Sequence, residues 1–251
     1  MEDNNSQTHR ETFIYGIRAV MEAIKSGKPI DKIFLRKGLS NDLFKELFQI
    51  IRTRDIPFQF VPVNKIDSVT KKNHQGVLAF LSPVELYDIE SVVPHLFEQG
   101  KTPLLLILDK VSDVRNFGAI IRSAECAGID AIVIPSKNSA RLNEDAVKTS
   151  AGAIFQIPIC RTQSMLGAIQ YIKNSGIQII AATEKSDQHY YQADFSLPTA
   201  LLMGSEEKGI SREYLQEATQ LIKIPMMGEI ESLNVSVASG ILMFEAVRQR
   251  I

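Results

Sequence analysis

The chain has 251 residues, 45% hydrophobic and 23% charged, an ordinary composition for a protein able to bury at least one core. The net charge of −1 gives no global basic surplus of the kind that marks nucleic-acid binders, and no apolar run nears the ~20 residues that span a bilayer. Two cysteines, Cys126 and Cys160, supply neither a disulfide framework nor a metal spacing, and the four histidines are scattered, which predicts a metal-free protein of the reducing cytoplasm.

Residues 1–11 begin MEDNNSQTHR, a polar stretch expected to be a disordered tail and not a secretory signal. From 12 to 82 the pattern alternates. Strands are expected at 12–15, 32–35, 58–63 and 76–81. Helices are expected at 18–25, at 41–51 and, briefly, at 65–71. Val20, Ala23 and Ile24 share one face of the first helix. Leu43, Phe44, Leu47 and Ile51 form that of the second, with Asn41 as its cap. This is the pattern of a compact α/β sandwich. Residues 10–80 hold 13 Lys/Arg against 7 Asp/Glu, which fits a polyanion-binding surface and equally an ordinary solvated one. Residues 83–102 carry an acidic bias and lie between Pro83 and Pro103, so they are expected to be an inter-domain connection.

The segment 103–251 opens on Leu104-Leu105-Leu106-Ile107-Leu108, a continuous apolar run typical of a parallel strand buried on both faces. Further strands are expected at 131–134, 155–159, 178–182, 200–203 and 221–224. Helices are expected at 119–127, 143–152, 164–173, 211–218 and 233–250. The result is a mostly parallel, doubly wound sheet, in which ligands bind beyond the carboxyl ends of the strands.

Three strand-end stretches carry candidate chemistry. In DKVSDVRNFGAIIRSAECAG (109–128), Gly118 follows Asn116 at the turn into a helix and Arg122 lies along it. Asn116 and Arg122 can both point toward the strand ends; alternatively Asn116 is a helix N-cap and Arg122 a surface residue. GSEEKGIS (204–211) fails the phosphate-loop test, because Ile210 and not Lys follows Gly209, and no GxGxxG follows the first strand. It reads as a tight glycine turn with Ser211 capping the next helix, or as a backbone-lined cradle with Glu206 at its rim. In MMGEIESLNVSVASG (226–240), Ser232 is the expected N-cap, and Ser236, Ser239 and Gly240 are small enough for close helix packing. Packing leaves Asn234 unexplained, since a buried amide must find partners.

Taken together, these stretches resemble the three motifs of the SPOUT superfamily, in its SpoU branch of RNA ribose 2′-O-methyltransferases. The matching residues are Asn116, Gly118 and Arg122; Gly204, Glu206 and Gly209; and Ile224-Pro225-Met226, Gly228, Ser232, Leu233 and Asn234. YGIRAV (15–20) and HQGV (74–77) resemble the N-terminal RNA-binding domain of bacterial enzymes that methylate a guanosine of 23S ribosomal RNA, a domain similar to the ribosomal protein L30e fold. The sequence departs from many relatives at Val114, where they have Pro, and at Glu207, where they have Gly.

The resemblance implies an L30e-like α/β substrate-binding domain over 12–82 and a SPOUT catalytic domain with a deep trefoil knot over 103–251, through which the chain forms a homodimer. It implies S-adenosylmethionine as cofactor, held near Thr183, Met203, Gly204, Ser205, Ile224, Met226 and Leu233. It implies that Asn116, Ser232 and Asn234 orient ribose and donor, and that Glu206 orders the site. An arginine at the position of Arg122 is tied to activating the hydroxyl. Guanidinium stays protonated, so Arg122 is better read as stabilising the developing alkoxide or gripping the adjacent phosphate. The expected activity is 2′-O-methylation of a guanosine of 23S rRNA. Alternatives are a tRNA or another rRNA site and, outside the class, a non-catalytic RNA-binding ribosome-assembly protein.

Overall fold

The computed structural model describes residues 12–251; the expected tail at 1–11 lies outside them. The chain divides into two compact units, 12–83 with Leu142–Glu144, and 84–141 with 145–251. Among the described residues no helix is long and apolar enough to cross a membrane.

The smaller unit contains β1 (Phe13–Tyr15), α1 (Ile17–Lys25), β2 (Ile30–Arg36), α2 (Asp42–Thr53), β3 (Phe58–Val61), α3 (Val63–Asp67) and β4 (Val77–Leu81). Its sheet runs β1-β4-β2-β3, with β2 and β3 parallel and the other pairs antiparallel. The helical faces legible in the sequence do the packing. Val20, Ile24, Phe44, Leu47 and Ile51 meet Ile33, Leu35, Val77 and Ala79 on one side of the sheet. Asn41 caps α2 as expected, its Oδ1 accepting from Phe44 N at 2.8 Å.

The larger unit contains β5 (Leu86–Tyr87), α4 (Ile89–Glu98), β6 (Leu104–Leu108), α5 (Val114–Cys126), β7 (Ala131–Pro135), α6 (Glu144–Thr149), β8 (Ile159–Thr162), α7 (Met165–Asn174), β9 (Gln178–Ala182), β10 (Thr199–Met203), α8 (Arg212–Glu217), β11 (Gln220–Ile222) and α9 (Val235–Arg250). Seven strands run in the order β11-β9-β10-β6-β7-β8-β5, and every pair is parallel. Leu105, Ile107, Val133, Ile179 and Leu202 point to one face, where α4 and α7 cover them. The alternate residues Leu106, Ile132, Ile180 and Leu201 are equally buried. α5 and α9 pack on each other, and α9 against β10. Both faces are thus covered, which is why the strands read as unbroken apolar runs. Arg250 closes the helix end over the amino-terminal edge of the sheet. Its guanidinium donates to the carbonyls of Thr102, Pro103, Phe195 and Leu197.

Three expectations need correction. The segment 83–102 is not a bare connection: β5 adds to the sheet beside β8, and Ile89, Val92, Val93 and Leu96 of α4 enter the larger core. Pro94 lies inside α4 and cannot donate to the Glu90 carbonyl one turn back; Tyr171 on α7 donates its hydroxyl there instead, at 3.3 Å. The strand expected at 155–159 begins at Ile159, because Ala153–Phe155 form a 3₁₀ turn. The helix expected from 119 begins at Val114, since Asp113 caps it by accepting from the N–H groups of Arg115 and Asn116, both at 2.9 Å.

Candidate active site

The carboxyl ends of neighbouring strands bring the three motif stretches together. Asn116 lies in the first turn of α5, behind β6. With Asp113 holding the cap, the Asn116 side chain is released from capping, and its Oδ1 accepts from Asn234 Nδ2 at 3.0 Å. Asn234 Nδ2 also donates to Glu206 Oε1, from the loop after β10. The same Glu206 oxygen accepts from Val235 N at 3.2 Å, satisfying a free amide of the first turn of α9. Asn234, and not Ser232, is the N-cap of α9, its Oδ1 accepting from Ser236 N at 2.9 Å. The amide that packing could not explain therefore has partners on both its oxygen and its nitrogen, while the residue itself is exposed. Ser232 is exposed and lies two residues ahead of that N-cap.

Arg122 does not join this group within one chain. It follows Asn116 by six residues, which at 3.6 residues per turn places it about 120° away around the helix. It is solvent-exposed and lies outside the residues lining the cleft described below. The small residues of α9 also divide. Ser239 is fully buried and donates to Val235 O at 2.7 Å, as close packing requires. Gly240 has nothing within 4 Å of where a Cβ would stand, so packing within the chain does not demand it.

The expected cofactor residues gather at the ends of three adjacent strands. Thr183 follows β9, Met203 ends β10 with Gly204 and Ser205 after it, and Ile224 and Met226 follow β11. Ile224 and Met226 are half-buried; Leu233 is exposed. The loop after β10 folds back on itself, with Gly209 N donating to Ser205 O at 2.9 Å. A Cβ on Gly204 would lie 2.1 Å from the Gly209 carbonyl carbon, so only glycine fits there. Gly118 is needed for a similar reason: a Cβ would stand 2.0 Å from Thr149 Oγ1.

Sequence reading missed a second group beside the first. Asp109, at the end of β6, is 1% exposed. Its Oδ2 accepts from Ser211 N at 2.7 Å and from Ser211 Oγ at 2.6 Å, and Lys110 Nζ donates to Ser211 Oγ at 2.7 Å. Ser211 thus spends its hydroxyl on Asp109 and does not cap α8. Burial, then the nearby carboxylates of Asp109 and Glu213, push the Tyr214 phenol up. The available signal was an acid directly after a five-residue apolar strand, the position where parallel sheets hold functional groups.

An open cleft of about 430 Å³ lies between the loops after β6, β7 and β10; Lys110, Asp113, Asn116, Asn138, Glu206 and Lys208 are among its lining. The network of Asn116, Glu206 and Asn234 borders it. The loops divide the sheet edge in two. Most of the expected cofactor residues lie on the β11-β9-β10 side and the cleft on the β10-β6-β7 side, with Ser205 lining the cleft between them. Among the described residues no group of three His, Cys, Asp or Glu side chains could hold a metal.

Residues 103–244 match the SpoU rRNA Methylase family, and residues 13–87 match the RNA 2′-O ribose methyltransferase substrate binding family. A Staphylococcus saprophyticus protein assigned to the TrmH family of tRNA/rRNA methyltransferases is 35% identical over 240 residues, 96% of each chain. A Bacillus subtilis protein with the same assignment is 32% identical over 245 residues, 98% of each chain. The crystal structure of the AdoMet-bound rRNA methyltransferase from Sinorhizobium meliloti matches with a TM-score of 0.62 at 27% identity, over 96% of this chain and 88% of that one. The larger unit accordingly has the α/β fold of the SPOUT methyltransferases, and the chain belongs to the SpoU rRNA methylase family.

Proposed function

We propose that the protein is an S-adenosylmethionine-dependent RNA 2′-O-ribose methyltransferase acting on a guanosine of 23S ribosomal RNA. The observation that carries this reading is the meeting of Asn116, Glu206 and Asn234, from three separate loops, at the carboxyl edge of a parallel sheet. The residues fit the cofactor: half-buried Ile224 and Met226 offer apolar contact, and the backbone beyond β9, β10 and β11 offers hydrogen bonds. When bound, S-adenosylmethionine supplies an activated methyl group, which leaves the protein to align the ribose and assist loss of the hydroxyl proton.

Asn116 Oδ1 is engaged by Asn234, so its Nδ2 is left to donate to a ribose oxygen. Glu206, which lines the cleft, uses Oε1 within the network, and its Oε2 is assigned as a further acceptor. Arg122, exposed on α5, is assigned to a phosphate of the RNA. Homodimer formation through the larger unit is supported by α9, where Val237 (50% exposed) and Phe244 (49%) flank Gly240 along one stripe. A trefoil knot and an L30e-like smaller unit are part of the same reading, as is a cytoplasmic setting.

The test is methyl transfer from labelled S-adenosylmethionine to unmodified 23S rRNA transcript, with tRNA transcript beside it and the label mapped to ribose or base. Ribose label in the 23S transcript is the expected result, and its position names the nucleotide. Label in tRNA alone would keep the chemistry and replace the substrate; the relatives' assignment to tRNA/rRNA methyltransferases makes that the second reading. Cofactor binding without transfer to either would point to an assembled ribosomal substrate. Absence of cofactor binding would favour a non-catalytic RNA-binding protein.

A further inference from the structure

Five described non-glycine residues have a left-handed backbone, and two of them, Lys110 (φ +58°) and Asn138 (φ +60°), line the same cleft. Asparagine takes this conformation readily, whereas a lysine does so at a cost that neighbouring contacts must offset. At Lys110 the turn has a definite result. It buries the Asp109 carboxylate against Ser211 and leaves the Lys110 side chain, 43% exposed, at the cleft, its ammonium 2.7 Å from Ser211 Oγ. Lys208 lines the cleft from the loop after β10 and is exposed.

Three carboxylates, Asp113, Glu206 and Glu207, share this cleft. Asp113 is turned to the N–H groups of Arg115 and Asn116. Glu206 is held by Asn234 and Val235 N. Glu207 is exposed, and Asp109, behind the lining, is 4.0 Å from the Lys110 ammonium and bonded to Ser211. Two of the three lining acids are therefore committed to amide donors, while the Lys110 ammonium is held by Ser211 Oγ and Lys208 is exposed. Ala140 N donates to Val111 O at 2.9 Å, which ties the β7 loop to the β6 loop and fixes the cleft wall.

We propose that this cleft, on the side of the sheet edge away from β9 and β11, is the path of the RNA strand, and that Lys110 and Lys208 grip the phosphates flanking the target ribose. The proposal rests on the ribose-methyltransferase reading above. It makes Lys110 a positioning residue whose strained backbone aims a cation, in a role that carries no sequence preference.

The test uses the full chain and three variants. Lys110→Gly removes the ammonium and relieves the backbone, Lys110→Arg keeps the charge, and Lys208→Gln removes the second cation. Affinity for 23S rRNA transcript and for tRNA transcript is measured across a salt series, beside KM, kcat, cofactor affinity and melting temperature. Lys110→Gly and Lys208→Gln should each flatten the slope of log K against log salt by about 0.7, the loss of one single-strand phosphate contact. Each should raise KM more than it lowers kcat. Lys110→Arg should keep the parental slope, and Lys110→Gly should melt no lower than the parent, which separates lost contact from lost folding. Unchanged slopes in an enzyme that still methylates ribose would overturn the proposal and leave the activity standing. Flattened slopes in a protein that methylates no ribose would support the RNA path and sink the methylation reading.

Discussion

Asn234 shows how one side chain can serve folding and chemistry together. Its oxygen caps α9, and its nitrogen joins Asn116 to Glu206. Asn234→Ala should therefore lower stability by about 1 kcal/mol, the usual cost of a lost cap. It should lower methyl transfer far more, by about 100-fold or greater, as expected when an orienting group is lost. Thermal melting and single-turnover transfer on the same preparation check both, and equal loss of folding and activity would reduce Asn234 to a cap alone. The motif residues Asn116, Glu206 and Asn234 were legible in the sequence because each lies in a stretch that follows a strand and the three stretches together resemble known motifs. Their bonding was not, and neither was the role of Asp113 as cap, which a helix start placed five residues late had hidden. Lys110 escaped notice because nothing in a lysine codon announces a left-handed backbone.

At the scale of elements, α4 and α9 make opposite points. The acidic stretch 83–102 hides a helix because Pro94 breaks the expected pattern and β5 is only two residues long. A neighbour repairs the backbone, since Tyr171 supplies the donor that Pro94 lacks. Tyr171→Phe should cost about 0.5–1 kcal/mol. Pro94→Ala introduces the helix N–H that proline lacks and should make the tyrosine change nearly neutral, so a double-mutant cycle by chemical denaturation reads the repair directly. Additive effects would refute it. α9 was plain in the sequence, but its pairing was not. Glu245, buried, accepts from Arg248 Nε at 2.8 Å and Nη2 at 2.7 Å, and from Gln249 Nε2 at 2.7 Å. The Arg248 hydrogen bonds hold its carboxyl below the usual range. A depressed folded pKa gives stability that is present above the ordinary glutamate value, about 4.3, and is lost as pH falls through the folded value. Glu245→Gln should thus melt below the parent at pH 7, and the gap should close on acidification past that point. A gap that stays constant with pH would assign the effect to packing.

Across the whole molecule, periodicity was a sound guide to what each segment forms and a poor one to what it touches. Every element of the smaller unit was readable, since its helices and strands alternate over short spans. In the larger unit the apolar runs announced a buried parallel sheet, yet nothing in them announced the order β11-β9-β10-β6-β7-β8-β5. That order is what sets the proposed cofactor half beside an open cleft, and it rests on contacts between residues far apart in the chain.

The same long separations set a clock. The bonds of the site join residues 118, 102 and 28 positions apart, whereas most packing of the smaller unit is drawn from a single run of about seventy residues. Contacts that close long loops form late, because their entropy must be met before they return anything. On dilution from denaturant, the smaller unit should regain structure first, then the sheet, and the Asn116–Asn234 junction last. Methyl-transfer competence should accordingly lag behind recovery of helix signal in a refolding time course, and simultaneous recovery would contradict this order. A newly made molecule would then pass through an interval in which it can meet RNA before it can modify it.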